Sequence, residues 1–482
     1  MLRATETAST RSCHRPNPPF RPRVDGLLAV CLLLAAAAPA WCEDHGATTG
    51  DEFDQGYWVE QMPDILSQRE RPAVFNRLLG ERLDELLPQL MRETGIDMWL
   101  VLNREYVEDP VYFTLVPQPS HAARRTTMLV FHDKGEGEGV ERLTVNRYPF
   151  GSLYESAWSG GDLDEQWKGL AEVIAARDPQ VIGVNVSRDW PVADGLTHGL
   201  HERLMEVLSP ELRSRVRSAE DLVVRWFETR SASELEIYPQ IVAMARKVIR
   251  EAFSNQVITP GATTADEVAW YIAERFAELE LPIWFQPSVD VQRAGQECDL
   301  QSPFCGVEGD TVIRRGDVIH TDVGVCYLGL CTDTQEMGYI LQLGETEAPR
   351  ALQQALAQGN RWQDILTGNF ETGRTGNEIL ARTGEQCTDE GLICSTYTHP
   401  IGNHGHGVGP TIGMWDNQGP TIPRGDWKLY PDTAFSIEGN TRTPLEAWGG
   451  QYVVIKLEQD AVWDGERVWY IAGRQTEWHL VR

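Results

Sequence analysis

Basic residues are scarce in this chain: 43 lysines and arginines stand against 71 aspartates and glutamates, a formal charge of −28 at pH 7 over 482 residues. Removing residues 1–40, which hold five bases and two acids, makes it −31. A surface of that sign repels phosphate backbones and anionic lipids, which argues against nucleic acid as a partner; a substrate with a free amino terminus would be drawn in. The phosphate loop GxxxxGK[ST] is missing, Ser436 stands in no nucleophile elbow, and HGHGVG lacks the strand-glycine-helix setting of a dinucleotide site. No cysteines show the CxxC spacing of a zinc site. Histidine is absent between His201 and His320, and again between His406 and His479.

What is present begins with a leader pattern. Residues 1–40 carry Arg3, Arg11, Arg15, Arg21 and Arg23, then the apolar run LLAVCLLLAAAA, then Ala38-Pro39-Ala40. This predicts a cleaved signal peptide and an exported protein, periplasmic or secreted, with no stable membrane association after cleavage. Of the nine cysteines, Cys13 and Cys31 fall in that leader and Cys42 has no near neighbour. Cys326 and Cys331 flank YLGL, so in a hairpin they would face each other and close a disulfide after export. Cys298 with Cys305 and Cys387 with Cys394 are further candidate pairs, reduced core cysteines being the alternative for all.

A mature chain of this length predicts two domains rather than one core. After a linker segment over 41–69, helix-like stretches such as RLLGERLDELLPQLMRETG alternate over 70–225 with the apolar runs DMWLVL, TTMLVFH, RLTVN and VIGVNV, the pattern of an α/β layer. From 230 to 482 the pattern changes to long amphipathic helices followed by strands. One helix is expected near SELEIYPQIVAMARKVIREAF, with Pro239 obscuring its start, and another behind the capping box Thr264-Ala265-Asp266-Glu267. The fold class is therefore α+β, with loops expected over 151–161 and 413–431.

Five metal-binding side chains follow one another in the last third of the chain. Asp322 and Asp333 stand eleven residues apart in HTDVGVCYLGLCTD, His406 lies in NHGHGVGP, Glu438 in FSIEGN and Glu458 in VVIKLEQD. Taken singly, each acid is more often a solvated or turn residue than a ligand. Set inside apolar, β-branched sequence, however, an unpaired charge would cost several kcal/mol, and a cation removes that cost. Carboxylates are hard ligands able to bridge two ions, and an imidazole biases the set toward transition metals. Two ions roughly 3.5–4 Å apart activate water and polarise a carbonyl, the chemistry of amide hydrolysis.

These residues and their order resemble the pita-bread metallopeptidases, the family of Xaa-Pro aminopeptidase, prolidase, methionine aminopeptidase and the metal-free creatinase. The resemblance implies a pita-bread catalytic domain preceded by a smaller creatinase-like α/β domain. It implies a dinuclear metallo-aminopeptidase that hydrolyses the N-terminal bond of peptides, Xaa-Pro first, with two divalent ions, Mn²⁺ ahead of Zn²⁺, Co²⁺ or Fe²⁺, and a homodimer. By the same match Asp322 binds one ion, Asp333 and Glu458 bridge both, and His406 and Glu438 complete the second, with Glu438 shuttling the proton.

Most active members of that family carry two further histidines, one upstream of the first aspartate and one about seven residues after the ligand histidine. At the second place this chain reads MWDNQGP, with Trp415 beside Asp416. His320 and His404 are the expected replacements, because in an extended strand they would share a face with Asp322 and His406. They would touch substrate, orient the ligands, or be satisfied buried imidazoles; His399, before Pro400, is the weaker candidate. Trp415, Trp427 and Trp448 are candidate pocket residues, with packing as the alternative. Another small-molecule hydrolase or lyase, or a non-catalytic binding protein, remain the competing readings; retention of all five ligands speaks against the last.

Overall fold

The computed structural model describes residues 61–147, 150–296 and 306–482. The leader pattern, Cys42 and the Cys298–Cys305 pair lie outside the described residues.

Two sheets organise the chain. The first is built from β1 (Met98–Arg104), β2 (Thr126–Asp133), β3 (Val140–Thr144), β4 (Glu155–Ser156), β5 (Ile182–Val184) and β6 (Val216–Ser218), in the order β4-β3-β2-β1-β5-β6. Side chains alternate along a strand, and β1 reads MWLVLNR, so both of its faces are apolar. Trp99 and Val101 pack with the helical run 71–94 and helix Glu220–Glu228, while Met98, Leu100 and Leu102 pack with helices Leu163–Arg177 and His198–Val207. Burial on both faces is what a sheet between two helical layers requires. The stretch 151–161, expected as loop, contributes the two-residue edge strand β4.

Helix Ala232–Ala252 opens the second part. The Ser231 hydroxyl accepts from Glu234 N, and the Glu234 carboxylate accepts from Ser231 N. This capping box sets the start, so Pro239 lies inside the helix rather than at its boundary. Helix Ala265–Glu278 starts on the expected box at Thr264 and Glu267.

The second sheet has nine strands: β7 (Ser288–Gln292), β8 (Val318–Val323), β11 (Thr334–Ile340), β12 (Cys394–Thr396), β13 (His399–Pro400), β14 (Thr433–Pro444), β15 (Tyr452–Trp463), β16 (Val468–Tyr470) and β17 (His479–Val481). Its main order is β12-β14-β15-β11-β8-β7, with β13 on β14, β16 on β15 and β17 on β11. One helix pair packs with Val289, Val291, Ile319 and Val323; helices Arg350–Gly368 and Gly376–Asp389 pack with strand residues such as Phe435, Ile437, Ile455 and Leu457.

The sheet curls until β7 meets β15. The Gln292 amide donates to Val454 O and accepts from Val454 N, both at 2.8 Å, copying one rung of a strand ladder with a side chain. Between β8 and β11 the hairpin β9 (Cys326–Tyr327) and β10 (Leu330–Cys331) turns through Leu328 and Gly329, both at positive φ, as a type I′ turn requires. That register sets Cys326 opposite Cys331, and the two are joined by a disulfide; Cys387 and Cys394 form a second. Among the described residues no helix is long and apolar enough to cross a membrane.

Candidate metal centre

Strand register, not sequence distance, assembles the acids. Asp322 on β8 is the partner of Gln335 on β11, Gln335 of Glu458 on β15, and Glu458 of Glu438 on β14. Adjacent strands lie about 4.8 Å apart, so three carboxylates and one amide form a row across four strands. Asp333 enters from the residue before β11, its N–H donating to Asp460 Oδ1 at 3.1 Å. The VVIKLEQD sequence now has a local reason: Ile455 and Leu457 enter the core, and the alternating Lys456 and Glu458 line a cavity of about 600 Å³.

Asp333 and Glu458 are buried, and Asp322 and Glu438 half-buried. Burial first, and the neighbouring Glu458 charge second, hold both aspartates well above the usual carboxylate range. The same two causes push Glu438 up to about 7. Asp322 Oδ1, Glu458 Oε2 and His399 Nε2 are buried atoms without a hydrogen-bond partner. Converging like charges with orphaned lone pairs are costly unless cations occupy the space between them. The residues present therefore fit a metal centre, and three sets of donors lie close enough to share an ion: Asp322 with Asp333 and Glu458; His399 with Glu438 and Glu458; and Asp333 with His399 and His406.

His399, the weaker candidate in the sequence, stands nearest the acids. Its Nε2 lies 3.6 Å from each of Asp333 Oδ2, Glu438 Oε2 and Glu458 Oε1. Donors about 2.1 Å from a common tetrahedral ion stand about 3.4 Å apart, which those separations approach. Nδ1 is 3.0 Å from Pro400 O, so it donates there and leaves Nε2 free, the arrangement that fixes a ligating imidazole. Burial would lower its pKa, but the Glu438 and Glu458 carboxylates outweigh that and hold it at about 10. β13 explains the placement, because His399 and Pro400 pair with Ser436 and Phe435, two residues from Glu438 on β14.

The other histidines are sorted by the same geometry. His406 lines the cavity, packed edge-on against His399 at 4.8 Å and Trp284 at 5.0 Å between ring centres. Desolvation and the His399 charge push it down to about 4. It touches only one of the three donor sets, whereas His399 belongs to two.

His404 does not reach the acids: its ring packs on Phe227 at 5.2 Å, and desolvation and the Arg230 charge lower its pKa. The expectation that it shares a face with His406 fails because 402–406 runs through bends, not a strand. His320 is buried, with both ring nitrogens engaged, Nδ1 2.7 Å from Asp290 Oδ2 and Nε2 2.9 Å from Gln335 Oε1. Both of its nitrogens are committed to neighbouring side chains, while the ring also lines the cavity.

The loop that carries the histidines is shaped from behind. A Cβ at Gly405 would come within 2.0 Å of the Trp284 ring, and one at Gly407 within 2.3 Å of Pro400 O. These glycines admit the Trp284 ring and the Pro400 carbonyl. A Cβ at Gly402 would come within 2.9 Å of Arg230, a buried residue of the segment joining the two sheets.

Of the expected tryptophans only Trp415 lines the cavity. Trp427 donates to Glu228 at 3.0 Å and packs on Trp190, and Trp448 packs against a core cluster. Trp284, which sequence reasoning missed, forms the wall instead, its Nε1 donating to Thr332 O at 2.9 Å.

The family model described as metallopeptidase family M24 matches residues 236–463. Among solved structures, the chain is similar to an X-Pro aminopeptidase from Thermotoga maritima MSB8, at 18% identity and TM-score 0.57, with 82% of this chain and 100% of that one covered. It is similar to a Xaa-Pro dipeptidase from Bacillus anthracis at 18% identity and TM-score 0.56, covering 86% and 100%. A prolidase from Pyrococcus horikoshii OT3 follows at 15% identity and TM-score 0.51, covering 81% and 97%. No curated protein matches the chain. At these identities the structural likeness carries the fold.

Proposed function

We propose that the chain, whose residues 236–463 match the model of metallopeptidase family M24, is a dinuclear metal-dependent peptidase acting on the N-terminal bond of peptides, Xaa-Pro first. The observation that carries the reading is the carboxylate row with His399 Nε2 set 3.6 Å from three of its oxygens. Asp322, Asp333 and Glu458 would hold one ion; His399 and Glu438, with Asp333 and Glu458 bridging, would hold the other. Two divalent ions bound there would activate a water between them and polarise the scissile carbonyl. Mn²⁺ is the first choice for so oxygen-rich a donor set.

His406 moves in this assignment from ligand to substrate contact. It stands seven residues after His399, about the spacing expected from the family resemblance between the ligand histidine and the next one, so it would fill the place of one of the two missing histidines. Held down at about 4, its imidazole is neutral at pH 7 and able to donate a hydrogen bond to the substrate carbonyl as charge builds there. Glu438, near 7 without a cation, is suited to accept a proton from the attacking water and pass it to the leaving amine. Trp284 and Trp415 supply apolar walls for the residues flanking the bond. Export, on the pattern of residues 1–40, and a homodimer belong to the same proposal.

The test couples metal content to turnover. Chelator-stripped protein is titrated with Mn²⁺, then assayed on Xaa-Pro and Xaa-Ala dipeptides and on small amides. About two ions per chain with cleavage of Xaa-Pro alone is expected. Metal uptake without peptide cleavage overturns the substrate class, and no uptake overturns the centre.

A further inference from the structure

Behind the carboxylate row runs a chain of hydrogen bonds that no step above uses. Lys456 Nζ donates to Asp290 Oδ2 at 2.8 Å. The same oxygen is 2.7 Å from His320 Nδ1, and His320 Nε2 is 2.9 Å from Gln335 Oε1. Gln335 Nε2 then donates to Glu438 Oε1 at 2.8 Å. The bonds pass through β15, β7, β8, β11 and β14, and Lys456, Asp290, His320 and Gln335 are all buried, at 4%, 0%, 2% and 7% exposure.

Gln335 is the odd member of its row. Its register partners are Asp322 on one side and Glu458 on the other, yet it carries no charge. The bond to Glu438 skips β15 and reaches over Glu458 to a strand that β11 does not pair with. A buried amide is costly unless both ends are satisfied, and here both ends are.

We propose that Gln335 is the positioning residue for Glu438 and that His320 locks it in place. An ionised carboxylate only accepts, so the amide nitrogen must face Glu438 and the amide oxygen accepts from His320 Nε2–H, while the Asp290 carboxylate accepts from Nδ1–H, so that the lock uses a ring protonated on both nitrogens. The Asp290–Lys456 pair holds the other side of the His320 ring. Gln335 engages Oε1, and Oε2 is the oxygen of Glu438 that stands 3.6 Å from His399 Nε2. This rests on the reading of Glu438 as ligand and proton carrier. It extends that reading by naming what fixes the angle at which Glu438 works.

The experiment is a calorimetric Mn²⁺ titration of chelator-stripped Gln335→Met, which keeps the side-chain length and removes both hydrogen bonds. Affinity for one of the two ions is expected to fall roughly 10- to 100-fold, the usual effect of losing an outer hydrogen bond to a ligand. The circular dichroism of the metal-free protein should not change. On an Xaa-Pro dipeptide kcat should fall while KM moves little, since neither of the hydrogen bonds removed involves the substrate. Mn²⁺ affinity within about twofold of wild type, against that expected loss, overturns the proposal. Should Gln335→Met not fold, Gln335→Leu decides by the same criterion, because it too can neither accept from His320 nor donate to Glu438 and adds no new ligand for the ion. His320→Phe should weaken Mn²⁺ in the same direction, and an unchanged affinity there removes the locking role. Wild-type protein that takes up no metal overturns the centre itself; wild type and variant binding alike overturn only this inference.

Discussion

Glu438→Gln should stabilise the metal-free protein and destabilise the metal-loaded one. Without a cation, burial and Glu458, its register partner across β14 and β15, lift the Glu438 carboxyl from 4.5 to about 7. That rise is worth about 3 kcal/mol. Because the folded value lies above the unfolded one, the contribution is fully present below pH 4.5 and is lost as pH climbs from 4.5 to about 7. Glutamine has no charge to bury, and its amide oxygen can still accept from Gln335. At pH 8 the chelated variant should therefore exceed chelated wild type by up to about 3 kcal/mol, roughly 3 °C in Tm for a chain of this size. At pH 5 the two should nearly coincide. With Mn²⁺ near 100 times its Kd, wild type gains about 3 kcal/mol per ion, and the variant, having lost a charged ligand, gains less. Denaturation in chelator and in Mn²⁺, at both pH values, reads all four states. A chelated variant less stable than wild type at pH 8 would refute the charge argument, whatever happened to activity.

The histidine assignments separate in the same assay. His399→Ala should lose about one of two ions and all turnover, while His406→Ala should keep both ions and lose roughly 10²–10³ in kcat, the worth of one donor to a developing oxyanion; metal analysis reversing that order restores His406 as the ligand. Away from the centre, Glu336 is buried between Arg246 at 2.6 Å and His479, whose charges outweigh the burial cost and hold its carboxyl down at about 2. A depressed value gives stability present above pH 4.5 and lost as pH falls from 4.5 to about 2. Glu336→Gln should cost roughly 3–5 kcal/mol at pH 7 and flatten that acid limb, and an unfolding curve with the same acid slope as wild type would remove Glu336 as its source.

Local chemistry is legible in the sequence wherever neighbours along the chain decide the outcome. The box at Thr264 starts its helix, the alternation in VVIKLEQD separates core from cavity, and Cys326 meets Cys331 across a turn whose residues adopt positive φ. The box at Ser231 is equally visible there and places Pro239 inside its helix. What is not legible is register. Gln335 carries no sign of a site in its own sequence, and its importance comes from standing opposite Asp322 and Glu458 at once.

The histidines are harder to sort from sequence for a different reason. The order of residues along the chain favours His406, and the glycines on either side of it leave room for Trp284 and for the Pro400 carbonyl. His399 looks weak because a proline follows it, yet that proline's carbonyl accepts from Nδ1 and turns Nε2 toward the acids. Pro400 has no N–H to donate, and at an edge position such as β13 none is needed. Spacing holds the remaining information: counted from His399, the histidine seven residues on is His406, and only the pairing of β13 with β14 says which of the two meets the carboxylates. The four acids stand out in their own segments as charges set in apolar sequence, and only the pairing of segments says which other side chains join them.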